Sequence, residues 1–472
     1  MRAGSFVGMR WLATVAERRR LERSGAGATA PGEWVPRETP SGAERRSGFV
    51  SRAGQRGRLM LHPRHRLDVS VRDLLFGLSA CLWAFRSRRL AAEVVRAFPP
   101  EGDALVCLSV RSGFDLLLRA LAESPGGEVL VSAVTHPDMV RVIEGHGLRA
   151  VPVDLDTATF EPRVELLEEA LSARTRAVLV AHLFGSRFDL GLVAAFARRH
   201  GLLLVEDCAQ GFRGPGDPGD PLADVSMFSF GSIKTASAVG GAILRVRDPG
   251  LLQKMRRTQE GWPVQSRRHY AGRLLKALCL VLLGRPLAYG LLARACDLAG
   301  RELDALVNGV VRALPASGDG TRELFRKIRH RPSAPLLALL ARRLRTFDAD
   351  RLARRAQSGE RVARRLPAAV AHPGGLAPSH THWLFPVLVS DPGELIRALR
   401  RRGFDASRVT SSIAPVLAPP ELAHRAPEEA NWMMSSLVFV PVYPEIPDKD
   451  LDLLVGVVEE VAVDGADQKG RA

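Results

Sequence analysis

The stretch "TRAVLVAHLFGSRFDLGLVAAFARRHGLLLVEDCA", residues 175–209, decides the fold. Its first and last parts, TRAVLVA and GLLLVE, are short runs of Val and Leu bounded by charge or glycine, the pattern of buried strands. The middle, DLGLVAAFARRHG, spaces apolar residues by three and four and ends on basic residues and Gly201, the pattern of a helix. Strand, helix and strand in that order make a parallel crossover unit.

The same alternation runs outward over residues 104–248. EVLVSAV, LRAVPVDL, DVSMFSF and GGAILRV read as further strands, and DMVRVIEGHG and RVELLEEALSAR as crossover helices. The expected fold is a doubly wound, mostly parallel α/β sheet. Ligands of such sheets gather beyond the carboxyl ends of the strands, so polar residues that follow an apolar run are the candidates.

Asp207 follows LLLVE directly, although an aspartate there also suits the cap of the next turn. Lys234 stands in "DVSMFSFGSIKTASAVGGAIL", residues 224–244, among small and apolar neighbours with no carboxylate close in sequence. A loop lysine is ordinarily solvated. Crowding by backbone and small groups instead lowers its pKa, and a partly neutral lysine attacks carbonyl carbons, as a Schiff base with an aldehyde cofactor requires. Pyridoxal phosphate is such an aldehyde, and it needs a carboxylate against its ring nitrogen. Asp207, 27 residues before Lys234 at a neighbouring strand end, is placed to supply one. Two places suit the phosphate: the helix start at Ser112 and Gly113 in SVRSGFDLLLRAL, residues 109–121, and the hydroxyl of Ser229.

With VEDCAQGF, the lysine stretch resembles the D-x-A-Q and F-S-F-x-x-x-K-x-x-x-x-x-G-G pattern of the DegT-type (DegT/DnrJ/StrS) sugar aminotransferases, fold-type I enzymes that use pyridoxal 5′-phosphate. EVLVSAVTHPDMVRVIEGHGLRAVPVDLDTATF and ARTRAVLVAHLFG are similar to further segments of that family, over roughly residues 104–248 and again from 328. The resemblance implies that Lys234 is the Schiff-base lysine and proton shuttle, and that Asp207 pairs with the pyridinium nitrogen. Relatives that dehydrate sugars place His where Lys234 stands. It also implies Gln210 near the phenolic oxygen or phosphate, Ser229 on the phosphate, and Ser112 with Gly113 at the phosphate turn. The sequence departs from the family at three places. His136 stands where an aromatic ring usually stacks on the cofactor, and Phe114 replaces the threonine of the phosphate turn. In IRHRPSAPLL, Arg329 replaces the asparagine that reaches a partner subunit's phosphate.

The net charge of +16 is concentrated in residues 1–66, which hold 14 Arg and 5 Glu, so the body of the chain gives no signal of a specific nucleic-acid partner. That Arg-, Gly- and Pro-rich extension is expected to be disordered, with translation from Met60 as the simplest reading. Five cysteines without C-x-x-C spacing indicate neither a zinc site nor a disulfide framework, and fit a reducing cytoplasm. The expected division is an extension (1–66), a large cofactor-binding α/β domain (67–248), a helical insertion (249–327) and a small C-terminal α+β domain (328–472). The insertion's apolar run, 277–283, is too short to span a bilayer, so packing on the body, a dimer contact or weak peripheral membrane contact are its open roles.

The expected function is transamination from an amino-acid donor such as glutamate to a keto sugar, nucleotide-linked, by a homodimer in surface-polysaccharide or secondary-metabolite biosynthesis. The alternative is a non-catalytic regulatory or membrane-surface binding protein on the same fold.

Overall fold

The computed structural model describes residues 60–98, 103–121, 126–301, 303, 320–408 and 413–469, so residues 1–59 of the basic extension lie outside the described residues. Helices α1 (Val71–Trp83) and α2 (Ser87–Ala97) come first. Ser70 starts α1 because its hydroxyl accepts from the Asp73 amide while the Asp73 carboxylate accepts from the Ser70 amide, a reciprocal cap.

The central sheet has seven strands: β1 (Ala104–Cys107), β2 (Glu128–Ser132), β3 (Arg149–Val153), β4 (Thr175–Ala181), β5 (Leu203–Asp207), β6 (Val225–Ser229) and β7 (Ala242–Val246). Their spatial order is β1-β7-β6-β5-β4-β2-β3. The pairs β2–β3, β2–β4, β4–β5 and β5–β6 are parallel, while β7 runs antiparallel to both β6 and β1. Six strands therefore point their carboxyl ends at one edge of the sheet.

Alternate residues of these strands serve opposite faces. Val129, Val131, Leu179, Val205 and Leu244 face α3 (Val110–Leu121), α4 (Pro137–Gly145) and the later α7 (Pro249–Glu260). Leu130, Val178, Val180 and Leu204 face α5 (Val164–Ala170) and α6 (Gly191–Arg199). The doubly wound fold expected from the strand pattern is thus present, with every sheet strand buried.

After α7 come α8 (Arg267–Leu283) and α9 (Pro286–Leu298). Tyr270 and Leu274 of α8 are fully buried among Leu74, Phe228 and Leu336, and the Tyr270 hydroxyl donates to the Ala238 carbonyl at 2.7 Å. Tyr289 of α9 donates to Asp405 at 2.7 Å. The insertion therefore packs on the body through both helices. Among the described residues no single helix is long and apolar enough to cross a membrane, and α8 with α9 reach that length only as a pair bent by 95°.

Helices α10 (Gly320–Ile328) and α11 (Ala334–Arg345) follow, and Leu336, Leu337 and Leu340 of α11 join the core under Phe228 and Ile243. By packing, α11 covers the large sheet, and the C-terminal core starts only with α12 (Ala349–Arg365). That core joins Val362 to β8 (Phe385–Leu388), α13 (Pro392–Arg401), β9 (Leu437–Val440) and α15 (Asp448–Lys469), with α14 (Glu428–Ser436) leading into β9.

Gly113 lies inside α3, and a Cβ built on it would stand 2.2 Å from a methyl carbon of Leu244 in β7. The missing side chain lets the helix press against the sheet. Gly113→Ala is expected to lower stability by about 1–3 kcal/mol through overpacking, read as a lower urea midpoint. An unchanged midpoint would mean that the helix stands off the sheet.

Candidate active site

Strand β5 ends on two carboxylates that point to opposite faces and meet opposite fates. Glu206 is fully buried, and it accepts from His182 at 2.8 Å, Arg187 at 2.7 Å and the Asp220 amide at 2.9 Å. Burial opposes ionisation, yet these hydrogen bonds and the Arg187 charge hold Glu206 far below the usual carboxylate range. Asp207 is 8% exposed, and among the described residues its carboxylate accepts only the Ala209 amide, at 2.9 Å. Burial raises its pKa to about 6, against the pull of that amide and of the Lys234 charge. A buried carboxylate left uncompensated at the carboxyl edge is a group kept for something else.

Lys234 comes from the loop between β6 and β7, at the same edge. Burial lowers its pKa to about 8, Asp207 opposes the shift and Arg111 reinforces it. Its ammonium stands 4.1 Å above the centre of the Trp383 ring. Trp383 is itself fixed by its indole N–H, which donates to the Ile233 carbonyl at 2.9 Å. From α12, buried Arg355 donates to the Thr381 carbonyl at 2.9 Å and to the Thr235 hydroxyl at 3.2 Å, clamping the loop beside the lysine. The loop is strained: Ala236 and Val239 sit at φ 54° and 58°, a region a β-branched residue rarely enters.

His136 caps α4, its Nδ1 accepting from the Asp138 amide at 3.1 Å. Burial, with the charges of Arg111 and Lys234, lowers its pKa to about 4, overcoming the pull of Asp138. The imidazole is neutral at physiological pH, as a stacking ring should be. Gln210 is buried, and its carbonyl oxygen accepts from the Phe184 amide at 2.8 Å, which leaves its NH2 group for another partner. Ser229 ends β6, with the Gly231 amide 3.5 Å from its hydroxyl.

The structure thus gathers Lys234, Asp207 and His136 at one edge, and it corrects three other expectations. Ser112, Gly113 and Phe114 do not form an open phosphate turn, because α3 begins earlier, at Val110. The Ser112 hydroxyl donates to the Ile328 carbonyl at 2.8 Å, the Gly113 amide is taken by the Ser109 carbonyl at 3.1 Å, and Phe114 is 1% exposed in the core. The N–H groups that open the helix are those of Val110 and Arg111. Arg329, expected at a partner subunit's phosphate, is held within its own chain: its guanidinium grips fully buried Asp115 with two hydrogen bonds of 2.9 Å and covers the Phe325 ring.

Sequence reasoning missed Arg111 and Trp383. Arg111 pairs with Asp138 and projects its charge onto both His136 and Lys234. The signal was present, since a cation in the first turn of a helix opposes the helix dipole and calls for an anion. Trp383 lies 149 positions from Lys234, and no local pattern joins them.

Two groups of side chains lie outside this arrangement. His372, His380 and His382 bring ring nitrogens within 4.8 Å of one another. Yet the ring of His382 is stacked on the other two at 21° and 25°, so its lone pairs run beside theirs rather than converge. An open cleft of about 670 Å³ is lined by Pro263, Thr321, Phe325, Arg329 and His330, and none of Lys234, Asp207 or His136 borders it.

Comparison with known proteins bears out the family resemblance. Residues 88–275 match the sequence model of the DegT/DnrJ/EryC1/StrS aminotransferase family. GDP-perosamine synthase of Caulobacter vibrioides is 31% identical over 196 residues, 40% of this chain and 53% of that one. UDP-N-acetyl-3-dehydro-alpha-D-glucosamine 3-aminotransferase of Acidithiobacillus ferrooxidans is 32% identical over 174 residues, 36% of this chain and 47% of that one. The chain thus spans about half the length of the curated relatives it matches. The crystal structure of ntda from Bacillus subtilis, with bound cofactor PMP, superposes with a TM-score of 0.60 at 17% identity, over 83% of this chain and 82% of that one. The fold is fold-type I.

The lysine environment has a direct readout. In the protein without added ligand, modification of Lys234 by an amine reagent, followed by peptide mass spectrometry, should reach half its plateau rate near pH 8. Surface lysines titrate near ~10.4. Lys234 titrating with them would show that its surroundings do not desolvate it.

Proposed function

We propose that this chain, whose residues 88–275 match the DegT/DnrJ/EryC1/StrS aminotransferase family, is a pyridoxal-phosphate-dependent transaminase. The observation that carries the reading is the pairing, across neighbouring strand ends, of a recessed lysine with a pKa near 8 and an uncompensated buried aspartate. The residues present fit the cofactor. Lys234 offers a nucleophilic amine, Asp207 a carboxylate for the ring nitrogen, and His136 a flat neutral face. The helix opening at Val110 and Arg111, with Ser229 and the Gln210 amide, offers donors for the phosphate.

When bound, pyridoxal phosphate supplies an electrophilic carbon that accepts the amino group and a ring that withdraws electrons from the reacting carbon. The chain's own groups do the rest. Asp207, deprotonated when a cationic nitrogen lies against it, holds the proton on that nitrogen. The Lys234 amine would be the base that lifts a proton from the donor's α-carbon and returns one nearby; a pKa near 8 lets it do both near neutrality. Trp383 and the Arg355 clamp on Thr235 keep the amine from swinging away.

The substrates belong to the same proposal: an amino-acid donor, glutamate by analogy, and a keto sugar carried on a nucleotide. The names of the two curated relatives support a nucleotide-linked acceptor. We place the enzyme in the cytoplasm as a homodimer serving surface-polysaccharide or secondary-metabolite biosynthesis. The exposed Leu275, Leu282, Leu287 and Leu291 of α8 and α9 support a second subunit, and the same face suits weak peripheral membrane contact. The division at 66/67, 248/249 and 327/328 stays part of the reading, with the last boundary better set after α11.

The test is spectroscopic and kinetic. Purified protein should carry a yellow band that borohydride bleaches, and glutamate should convert it in a single half-reaction. Lys234→Ala is expected to lose both the band and the half-reaction while keeping its urea midpoint. Asp207→Asn should keep cofactor but lose activity by about 10²-fold or more, since a neutral amide cannot hold the ring nitrogen protonated. A colourless wild-type protein that binds no pyridoxal phosphate would favour the non-catalytic binding reading.

A further inference from the structure

Arg273 projects from α8 into the body of the protein. Its guanidinium nitrogens stand 3.4 and 3.6 Å from the Cβ position built on Gly240. Gly240 and Gly241 lie at φ 156° and 91°, and the Gly241 amide donates to the Leu108 carbonyl at 2.9 Å. Leu108 is the first of the two residues between β1 and the start of α3, so Arg273 arrives beside the opening turn of that helix, where Arg111 stands.

The charge balance there is one-sided. Arg273 forms no hydrogen bond or ion pair with any described residue. Burial and the charge of Arg111 both push its pKa down, and only the Tyr270 hydroxyl pulls the other way. Arg111 has Asp138, but that carboxylate also serves Arg141 and lies 3.7 Å from His136. Lys234 adds a third cation within reach of Arg111. Two guanidiniums brought together in a recessed site repel unless an anion lies between them. The fork of each is shaped for the oxygens of a phosphate or carboxylate.

We propose that Arg273, together with Arg111, grips a phosphate dianion at the opening turn of α3. This rests on the cofactor reading above and deepens it: the insertion helix delivers the cation that Arg329, locked to Asp115, does not. The phosphate has two possible sources of the same chemistry, the cofactor's monoester or the diphosphate of a nucleotide-linked sugar. The recess within reach of Lys234 favours the cofactor.

The experiment compares wild type, Arg273→Ala and Arg273→Lys. Affinity for pyridoxal phosphate should fall by about tenfold or more in Arg273→Ala, while affinity for pyridoxal, which lacks the phosphate, stays within about twofold. Arg273→Lys, keeping the charge but not the fork, should lie between. Inorganic phosphate should raise the melting temperature of wild-type apoprotein and not that of Arg273→Ala, a result independent of any aldehyde chemistry. If pyridoxal phosphate binding is unchanged but UDP binding weakens, the dianion is the nucleotide's. Equal binding of phosphate, pyridoxal phosphate and UDP to wild type and Arg273→Ala overturns the proposal. Loss of pyridoxal together with pyridoxal phosphate would show a structural role only and overturn it as well. If wild type binds neither aldehyde yet phosphate still stabilises it through Arg273, the transaminase reading fails and the phosphate site stands.

Discussion

The site depends on the burial of two opposite charges at the carboxyl edge of the sheet without closing them into an ordinary ion pair. Desolvation pushes Asp207 up to about 6 and Lys234 down to about 8, and each partly restrains the other. A buried pair in close contact would instead lock both groups in their charged forms and leave neither for chemistry. The surrounding fold keeps them apart. Asp207 is fixed by strand β5 and the Ala209 amide, whereas Lys234 is held over Trp383 by a strained loop clamped at Thr235.

The neighbouring Glu206 shows how the same strand handles a carboxylate whose role is structural. With His182, Arg187 and the Asp220 amide around it, Glu206 is fully satisfied and inert. The difference between positions 206 and 207 follows from the pleat, which sends successive side chains to opposite faces. One ties the crossover loops together and the other faces the site.

Much of the large domain was legible because buried parallel strands are almost wholly apolar, and Asp207 and Lys234 could be found because they interrupt that pattern at strand ends. Composition held a further signal: the chain has six lysines and 61 arginines, so a lysine in an apolar loop of this chain is itself unusual. The misreadings have a common cause. Ser112 and Gly113 resemble an open turn, but Gly113 is required by contact with Leu244, 131 residues away, and Ser112 is taken by the Ile328 carbonyl. The pairing of Arg329 with Asp115, 214 positions away, is likewise beyond the reach of local spacing. Trp383, from the bend before β8, and Arg355 and Arg273, from α12 and α8, reach the lysine loop from elsewhere in the chain, and only the packed structure shows them there.

The most direct test is to incubate the protein with pyridoxal phosphate, reduce it with borohydride, digest it and find by mass spectrometry which of its six lysines carries the pyridoxyl group. The account predicts one modified peptide, the one containing Lys234, at near-stoichiometric yield. A label spread over Lys254, Lys276, Lys327 and Lys449, with Lys234 unmodified, would contradict it.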